Sequence, residues 1–330
     1  MIEFVTEYIK KGKNDTLQEY LSNGGFQGLE AALSRSSLEV IEEIEKSGLC
    51  GRGGAYFPAG IKWQSLKDAD CKESGEKYIV CNADEGEPGT FKDRYLLENC
   101  CWQVFEGMLI AAYATGAKKG YIYLRGEYRY LTLGTSLAVL REHQLLGNKI
   151  MDTDFSFEIE IRSGAGAYIC GEESALLNSL QGERGVTRNK APLPIRKGLW
   201  GQPTLIHNVE TLATVVQIMK YGADFFREVG DSSALPGSKL VCFSGAFQNT
   251  GVYEVPMGIK LTDLIYRVCG GDGRIRYAGV RIRAVIGASF RPAADRSVPA
   301  RGGFLEKFGN AAFDVVHDFL PAFFFFEMVV

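Results

Sequence analysis

The sequence has no Cys-x-x-Cys pair among its eight cysteines, so a tight zinc or iron–sulfur framework has no support. It has only three histidines, none close to a serine or cysteine nucleophile motif, which leaves hydrolase chemistry without a visible base. No run of about 20 apolar residues is present, so no transmembrane helix and no direct membrane insertion are predicted. The start, Met1-Ile2-Glu3-Phe4, lacks a basic segment followed by an apolar one, and no secretory signal is expected. A basic excess is missing too: 37 Lys and Arg face 40 Asp and Glu, a net charge of −3. That balance argues against a nucleic-acid binder driven by charge. No long internal repeat is visible. Cys81 and Cys170 sit inside the apolar stretches Tyr78–Cys81 and Ala167–Cys170 and read as buried thiols. Reduced thiols without a signal peptide fit the cytoplasm.

What is present is ordinary for a globular chain. Of the 330 residues 46% are hydrophobic and 23% charged, which excludes a mainly disordered chain, a collagen and a coiled coil. The length suits one large domain or two to three smaller ones. Residues 27–47 carry an apolar stripe at helical spacing, stopped by Gly48. A glycine-rich loop follows at 51–60. Residues 77–81 and 120–124 are short apolar runs that read as buried strands. Helices are predicted over 93–115 and 128–145, and a half-exposed strand over 155–161. A second glycine-rich segment, 164–171, opens a helix at Glu172. A basic, proline-rich loop covers 182–203, and a helix about 207–220. Alternating strands and helices with glycine loops between them predict an α/β layer structure. Residues 239–246 and 251–255 read as a hairpin, followed by a short helix at 261–268. After Gly271 the sequence turns arginine-rich and irregular.

Four segments carry candidate chemistry. In Gly51–Trp63, closely spaced glycines let backbone N–H groups approach a phosphate or a flat ring. Arg52 and Lys62 add positive charge, and Tyr56 and Phe57 add stacking faces. The glycines alone also fit a surface loop, and this is not the G-x-G-x-x-G dinucleotide fingerprint. Asn82-Ala83-Asp84-Glu85-Gly86-Glu87-Pro88-Gly89-Thr90 follows a predicted buried strand, where open α/β sheets gather ligands; a solvated acidic turn is the plainer reading. Gly164–Ser174 is another glycine loop entering a helix, where the helix dipole also accounts for Glu172 and Glu173. In Pro203–Thr211, Asn208 or Thr204 can cap a helix whose free N–H groups suit a phosphate. His207 alone is more readily structural than catalytic. Together these segments imply a large phosphorylated ligand of the nucleotide kind, and the residues alone go no further.

Residues 48–63 (GLCGRGGAYFPAGIKW), 81–98 (CNADEGEPGTFKDRYLLE), 164–185 (GAGAYICGEESALLNSLQGERG) and 198–211 (GLWGQPTLIHNVET) resemble the NADH-oxidising flavoprotein (51 kDa-type) subunit of respiratory complex I. The module recurs in NAD-linked hydrogenases and formate dehydrogenases. The resemblance runs in order from about residue 48 to 270. It implies a Rossmann-like FMN- and NADH-binding α/β domain over 49–225, preceded by a helical segment over 1–48. A small β-grasp-like (SLBB-type) module over 238–271 would follow. It implies that Arg52, Gly53, Gly54, Lys62, Asn82, Asp84, Glu85, Tyr168, Gly171, Glu172, Asn208 and Thr211 line the FMN site. Thr211, Asn208 and the helix start would hold the phosphate. Phe57, Glu87, Glu173 and Lys190 would face NADH. The implied mechanism is hydride transfer from nicotinamide to flavin. It needs no general base, so no catalytic side chain is assigned. Glu87 is expected to favour NADH over NADPH by bonding a ribose 2′-hydroxyl and repelling a 2′-phosphate.

Three positions depart from the family pattern: Tyr56 replaces a usual Gly, His207 a usual Asn, and Leu193 a common aromatic. The family continues into a helical domain with an SCGxCxPCR-type [4Fe–4S] motif, and nothing of that kind stands in 272–330. The Phe323–Phe326 run and the arginine excess suggest a truncated or frameshifted end, and no iron–sulfur cluster is expected in this chain. The implied partners are NADH and iron–sulfur subunits of a larger complex, with a cytoplasmic location peripheral to the inner membrane. A diaphorase subunit of a soluble hydrogenase or formate dehydrogenase is the alternative. A non-catalytic remnant that binds nucleotide is a third reading.

Overall fold

In a computed structural model of the chain, the described residues are 3–71, 75–189, 192–230, 235–245, 247–260, 263–268 and 270, with backbone alone at 282–284 and 326–328. The amino-terminal fifth is helical: α1 (Glu7–Lys11), α2 (Leu17–Ser22), α3 (Gln27–Leu33), α4 (Ser37–Ser47) and α5 (Ala59–Lys67). The stripe over 27–47 is thus two helices and not one. Ser36 begins the second: its hydroxyl accepts from Glu39 N–H and the Glu39 carboxylate accepts from Ser36 N–H, a reciprocal cap. Apolar periodicity continues across that restart and does not register it. Val40, Ile41 and Ile44 are the buried stripe, and Gly48 ends α4 in the left-handed region at φ 70°.

Four parallel strands follow: β1 (Tyr78–Ala83), β2 (Lys119–Leu124), β3 (Glu158–Ser163) and β4 (Thr204–Asn208), in the order β3-β2-β1-β4. The period of two along each strand divides the interior. Ile79, Cys81, Ala83, Ile122, Leu124 and Leu205 pack into one cluster with α6 (Lys92–Thr115) and α10 (Val209–Tyr221). Tyr78, Val80, Tyr121, Tyr123 and Ile206 pack on the other face against Leu176 and Leu177. Those two leucines belong to α8 (Glu173–Leu180), which follows α7 (Leu133–Glu142). Burial of both faces is why the strands read as continuous apolar runs. α6 crosses the sheet with a non-helical break at Cys100 and meets α10 closely. A Cβ on Gly107 would stand 2.1 Å from the Leu212 carbonyl oxygen, so only glycine permits the approach.

Several boundaries shift from the sequence reading. The helix expected at 207–220 begins at Val209, because Thr204–Asn208 pairs with β1; a five-residue run is too short for its period to declare itself. The helix expected from Glu172 begins at Glu173, with the Glu172 carboxylate accepting from Ser174 and Ala175 N–H groups as its cap. The helix over 128–145 contracts to α7, and the strand over 155–161 starts three residues later and ends two later as β3. The proline-rich loop contains the short α9 (Pro194–Lys197), and α11 (Ala223–Val229) follows α10.

The predicted hairpin is β5 (Ser238–Phe243) antiparallel to β6 (Gly251–Pro256). Two backbone strands, β7 (Ile282–Ala284) and β8 (Phe326–Met328), complete a small sheet of order β6-β5-β8-β7. Of the expected helix at 261–268, one turn is described, at Leu264–Val268. The rest of the 272–330 segment lies outside the described residues. Glu254 of β6 is buried and fastens this sheet to the amino terminus: its carboxylate accepts from the N–H groups of Phe4, Val5 and Thr6 and from the Thr6 hydroxyl. The seven described cysteines are unpaired; Cys81, Cys100, Cys170 and Cys242 are buried.

Candidate functional site

The chain runs from β1 through β2 to β3 on one side, then returns to place β4 on the other side of β1. The carboxyl ends of β1 and β4 therefore flank the point where strand order reverses, the place where open α/β sheets bind ligands. Asn82 and Asn208 face each other there in register. A cavity of about 390 Å³ opens at this point, a size within the roughly 300–1,000 Å³ of small-molecule sites.

One end is built around the amino terminus of α10. Asn208 caps the helix by accepting from Glu210 N–H at 3.0 Å. The glycine loop is pinned to the first turn, since Arg52 N–H donates to the Thr211 hydroxyl at 2.9 Å. A Cβ on Gly53 would come within 3.0 Å of the Asn208 Cβ, and beside Gly54 (φ 119°) nothing lies within 4 Å. The Arg52 guanidinium donates to the carbonyls of Ser238 and Cys50 and is 4% exposed. Among the described residues no carboxylate pairs with it. Lys92 lies between Asp93 (2.7 Å) and Glu210 (3.0 Å), and these acids hold its ammonium well above the usual lysine range against the cost of burial. Lys239, Leu240, Val241 and Cys242 of β5 close the wall.

The other end is acidic and aromatic. Asp84 is 6% exposed, yet neither carboxylate oxygen has a hydrogen-bond partner among the described residues. Burial pushes its carboxyl up to about 6; Arg125 opposes this and Glu127 adds to it. Asn82 donates to the Gly171 carbonyl at 2.8 Å, which ties β1 to the second glycine loop. The Tyr168 hydroxyl donates to Glu87 at 2.5 Å. Glu85 has a different duty. Its carboxylate accepts from Asp93 and Arg94 N–H groups at the start of α6 and from the Tyr128 hydroxyl, and burial pushes it up to about 7.

Arg52, Gly53, Gly54, Asn82, Asp84, Glu85, Tyr168, Gly171, Glu172, Asn208 and Glu87 all line the cavity. Thr211 does not; it is fully buried and holds the loop from behind. Lys62, Phe57 and Glu173 form a group of their own. Lys62 pairs with Glu173 at 2.8 Å and lies 6.0 Å from the Phe57 ring centre. Lys190 lies outside the described residues. The sequence reading took in Thr90 with the acidic turn but gave it no role, and it passed over Lys92, Asp93 and the β5 residues. Lys92 and Asp93 were visible beside the acidic turn, whereas β5 reaches the cavity from about 150 positions away and leaves no local signal. His207 is structural: its Nε2 accepts from Trp63 Nε1–H at 2.8 Å, and burial pushes it down to about 3. Tyr56 adopts φ 50°, a left-handed backbone that favours glycine.

Whether these residues suit a flavin mononucleotide can be judged from the site alone. Among the described residues a buried acceptor without a donor, a glycine floor that a side chain would fill, and a buried guanidinium that no carboxylate neutralises together match a flat, hydroxyl-bearing, anionic ligand. Among the described residues no group of three or more His, Cys, Asp or Glu side chains is placed to hold a metal ion.

Comparison with known proteins gives a concordant result. Residues 44–217 match the family model described as the Nuo51 FMN-binding domain. The F subunit of the NADH-quinone oxidoreductase of Aquifex aeolicus is 41% identical over 314 residues, covering 94% of this chain and 68% of that protein; the match extends past residue 271. The NAD-reducing hydrogenase HoxS subunit alpha of Cupriavidus necator is 50% identical over 239 residues, 72% of this chain but 39% of that protein. A crystal structure of an NAD⁺-reducing [NiFe]-hydrogenase in the air-oxidised state superposes with a TM-score of 0.65 at 39% identity, covering 77% of this chain and 42% of that one. This chain thus spans from about two-fifths to about two-thirds of the lengths of these relatives. It belongs to the Nuo51 FMN-binding family, together with the NADH-quinone oxidoreductase and NAD-reducing hydrogenase subunits it resembles.

Proposed function

We propose that this chain is an NADH-oxidising flavoprotein subunit that binds FMN in the cavity at the β1–β4 switch point and passes electrons to iron–sulfur partners. The observation that carries the reading is the buried Asp84 carboxylate, unpartnered among the described residues, on a cavity that Arg52, Gly53 and Gly54 also line. When bound, FMN would supply the acceptor for a nicotinamide hydride and the means to release its electrons.

The side chains do the holding. Gly53 and Gly54 leave room for close backbone approach, and Arg52 and Lys92 supply positive charge. Asp84 accepts from a ligand hydroxyl or N–H. Asn82 fixes the second glycine loop through the Gly171 carbonyl. Tyr168 and Glu87 stand at the rim as one hydrogen-bonded unit, where a dinucleotide's ribose would meet them. Phe57 and Glu173 belong to the NADH side of this reading, and Lys62, assigned to the flavin, is paired with Glu173. No proton transfer from the protein is called for; His207, which does not line the cavity, is held neutral against Trp63.

The same reading places the binding unit at 49–225, the helices of 1–48 before it and a β-grasp-like module at 238–271 after it. The complex served is of the NADH-quinone oxidoreductase or NAD-reducing hydrogenase kind. Likeness to the C. necator hydrogenase subunit supports the second as strongly as likeness to the A. aeolicus subunit supports the first. Among the described residues no helix is long and apolar enough to cross a membrane, so attachment would be through partners.

The test is to load the purified chain with FMN and follow NADH-dependent ferricyanide reduction, since ferricyanide can take electrons from a flavin directly. Flavin uptake with turnover supports the enzyme. Flavin uptake without turnover supports a nucleotide-binding chain that has lost catalysis, and no uptake contradicts the reading.

A further inference from the structure

The wall contributed by β5 has no place in the motifs of the two glycine loops, yet it brings a lysine into the cavity. Lys239 lies between two residues anchored to the phosphate-competent end of the site. On one side the Ser238 carbonyl accepts from Arg52 Nε and Nη2 at 3.2 and 3.0 Å. On the other, Leu240 N–H donates to the Glu210 carboxylate at 2.7 Å. Both contacts fix β5 against the glycine loop and the first turn of α10. Lys239 itself lines the cavity with Arg52, Gly53, Gly54, Lys92 and Asn208.

We propose that Lys239 is a phosphoryl-binding residue: with Arg52 and the amino terminus of α10 it holds the phosphate of the bound mononucleotide, an inference that rests on the flavin reading above. The cavity is polarised in the required sense. Arg52, Lys92 and Lys239 cluster where the helix dipole is positive. Asp84, Glu87 and Glu172 cluster with Tyr168 where β1 meets the second glycine loop. Lys92 stands at this end with its partners Asp93 and Glu210, and Arg52 and Lys239 bring further positive charge to it. The charge state of Lys239 fits the task. Burial pushes its ammonium down to about 8, with Glu210 opposing and Arg52 and Lys92 adding to the effect. A phosphate placed among these groups would relieve the repulsion between the cations. The ring end of the same ligand would meet carboxylates, where a phosphate would be repelled.

Comparing FMN with riboflavin, which lacks only the phosphate, tests the assignment. Both flavins are titrated by fluorescence into the full chain and into its Lys239→Gln and Lys239→Arg variants. The expected result is an FMN Kd about tenfold or more weaker in Lys239→Gln, a riboflavin Kd within about twofold of wild type, and recovery of most of the FMN affinity in Lys239→Arg, which keeps the charge. Wild-type chain that binds FMN while Lys239→Gln binds it equally well overturns the assignment and leaves the flavin reading standing. A parallel loss of both flavins in Lys239→Gln, with Lys239→Arg as weak, also overturns it, because the lysine then serves the ring or the fold. Wild-type chain that takes up neither flavin fails the flavin reading itself.

Discussion

The backbone N–H of Arg52 donates to the Thr211 hydroxyl at 2.9 Å, and this bond joins the glycine loop to the first turn of α10. Thr211 is fully buried, so its contribution to a ligand site is indirect: it sets where Arg52, Gly53 and Gly54 stand. Thr211→Val keeps the shape and removes the acceptor. A buried N–H left unsatisfied costs about 1–3 kcal/mol. Denaturant unfolding should show a loss of that size, and FMN titration a weaker Kd. Unchanged stability and affinity would remove Thr211 from the account.

Glu87 sits at the cavity rim with its carboxylate bonded to the Tyr168 hydroxyl. Gln at this position keeps an acceptor for Tyr168 and removes the charge that would repel a 2′-phosphate. Glu87→Gln should raise kcat/KM for NADPH by roughly tenfold, about 1.4 kcal/mol of discrimination, with a small change for NADH. Steady-state kinetics with both nucleotides check this; an unchanged NADH-to-NADPH ratio refutes the role.

Glu106 is fully buried and accepts from the Tyr20 hydroxyl and from Phe26 and Leu29 N–H groups. Burial pushes its carboxyl up to about 7 from 4.5, against the pull of these donors and Lys220. A carboxyl raised in the folded state binds its proton more tightly there than in the unfolded chain. Its stabilisation is therefore complete below about pH 4.5 and is lost as pH rises through 7. At roughly 1.4 kcal/mol per pH unit, wild type should lose about 3 kcal/mol more than Glu106→Gln between pH 4.5 and 8. Urea unfolding across that range reads the difference, and parallel pH profiles would contradict it.

His207 shows the opposite sign. Its folded value lies near 3, below the ordinary 6.5, so its contribution is present above pH 6.5 and is lost as pH falls towards 3. His207→Ala leaves the Trp63 indole N–H without its partner, at a cost of about 1–3 kcal/mol. FMN affinity should stay within about twofold, because His207 does not line the cavity. A large loss of flavin binding in a folded variant would show that His207 has a direct part in the site.

Much of the site was legible because its segments are long and local. The acidic turn after β1 and the loop around Arg52 both announce themselves by glycine spacing and charge. The polar partners within them could be named because they occupy one stretch of chain. What escaped was tertiary. Thr204–Asn208 shows as a strand only through its pairing with β1. Lys239 reaches the cavity only because Arg52 and Glu210 hold β5 there. The division of α3 from α4 turned on one capping serine inside an unbroken apolar stripe. Tyr56 was marked as a departure from the family, and its φ of 50° gives the physical reason glycine suits that position.

A crystal structure of the chain grown with excess FMN tests the central claim most directly. The account predicts flavin density in the cavity between Gly53, Asp84 and Asn208, with an Asp84 oxygen within hydrogen-bond distance of the ligand and the phosphate beside Arg52. An empty cavity at saturating FMN, or flavin bound elsewhere on the chain, would contradict it.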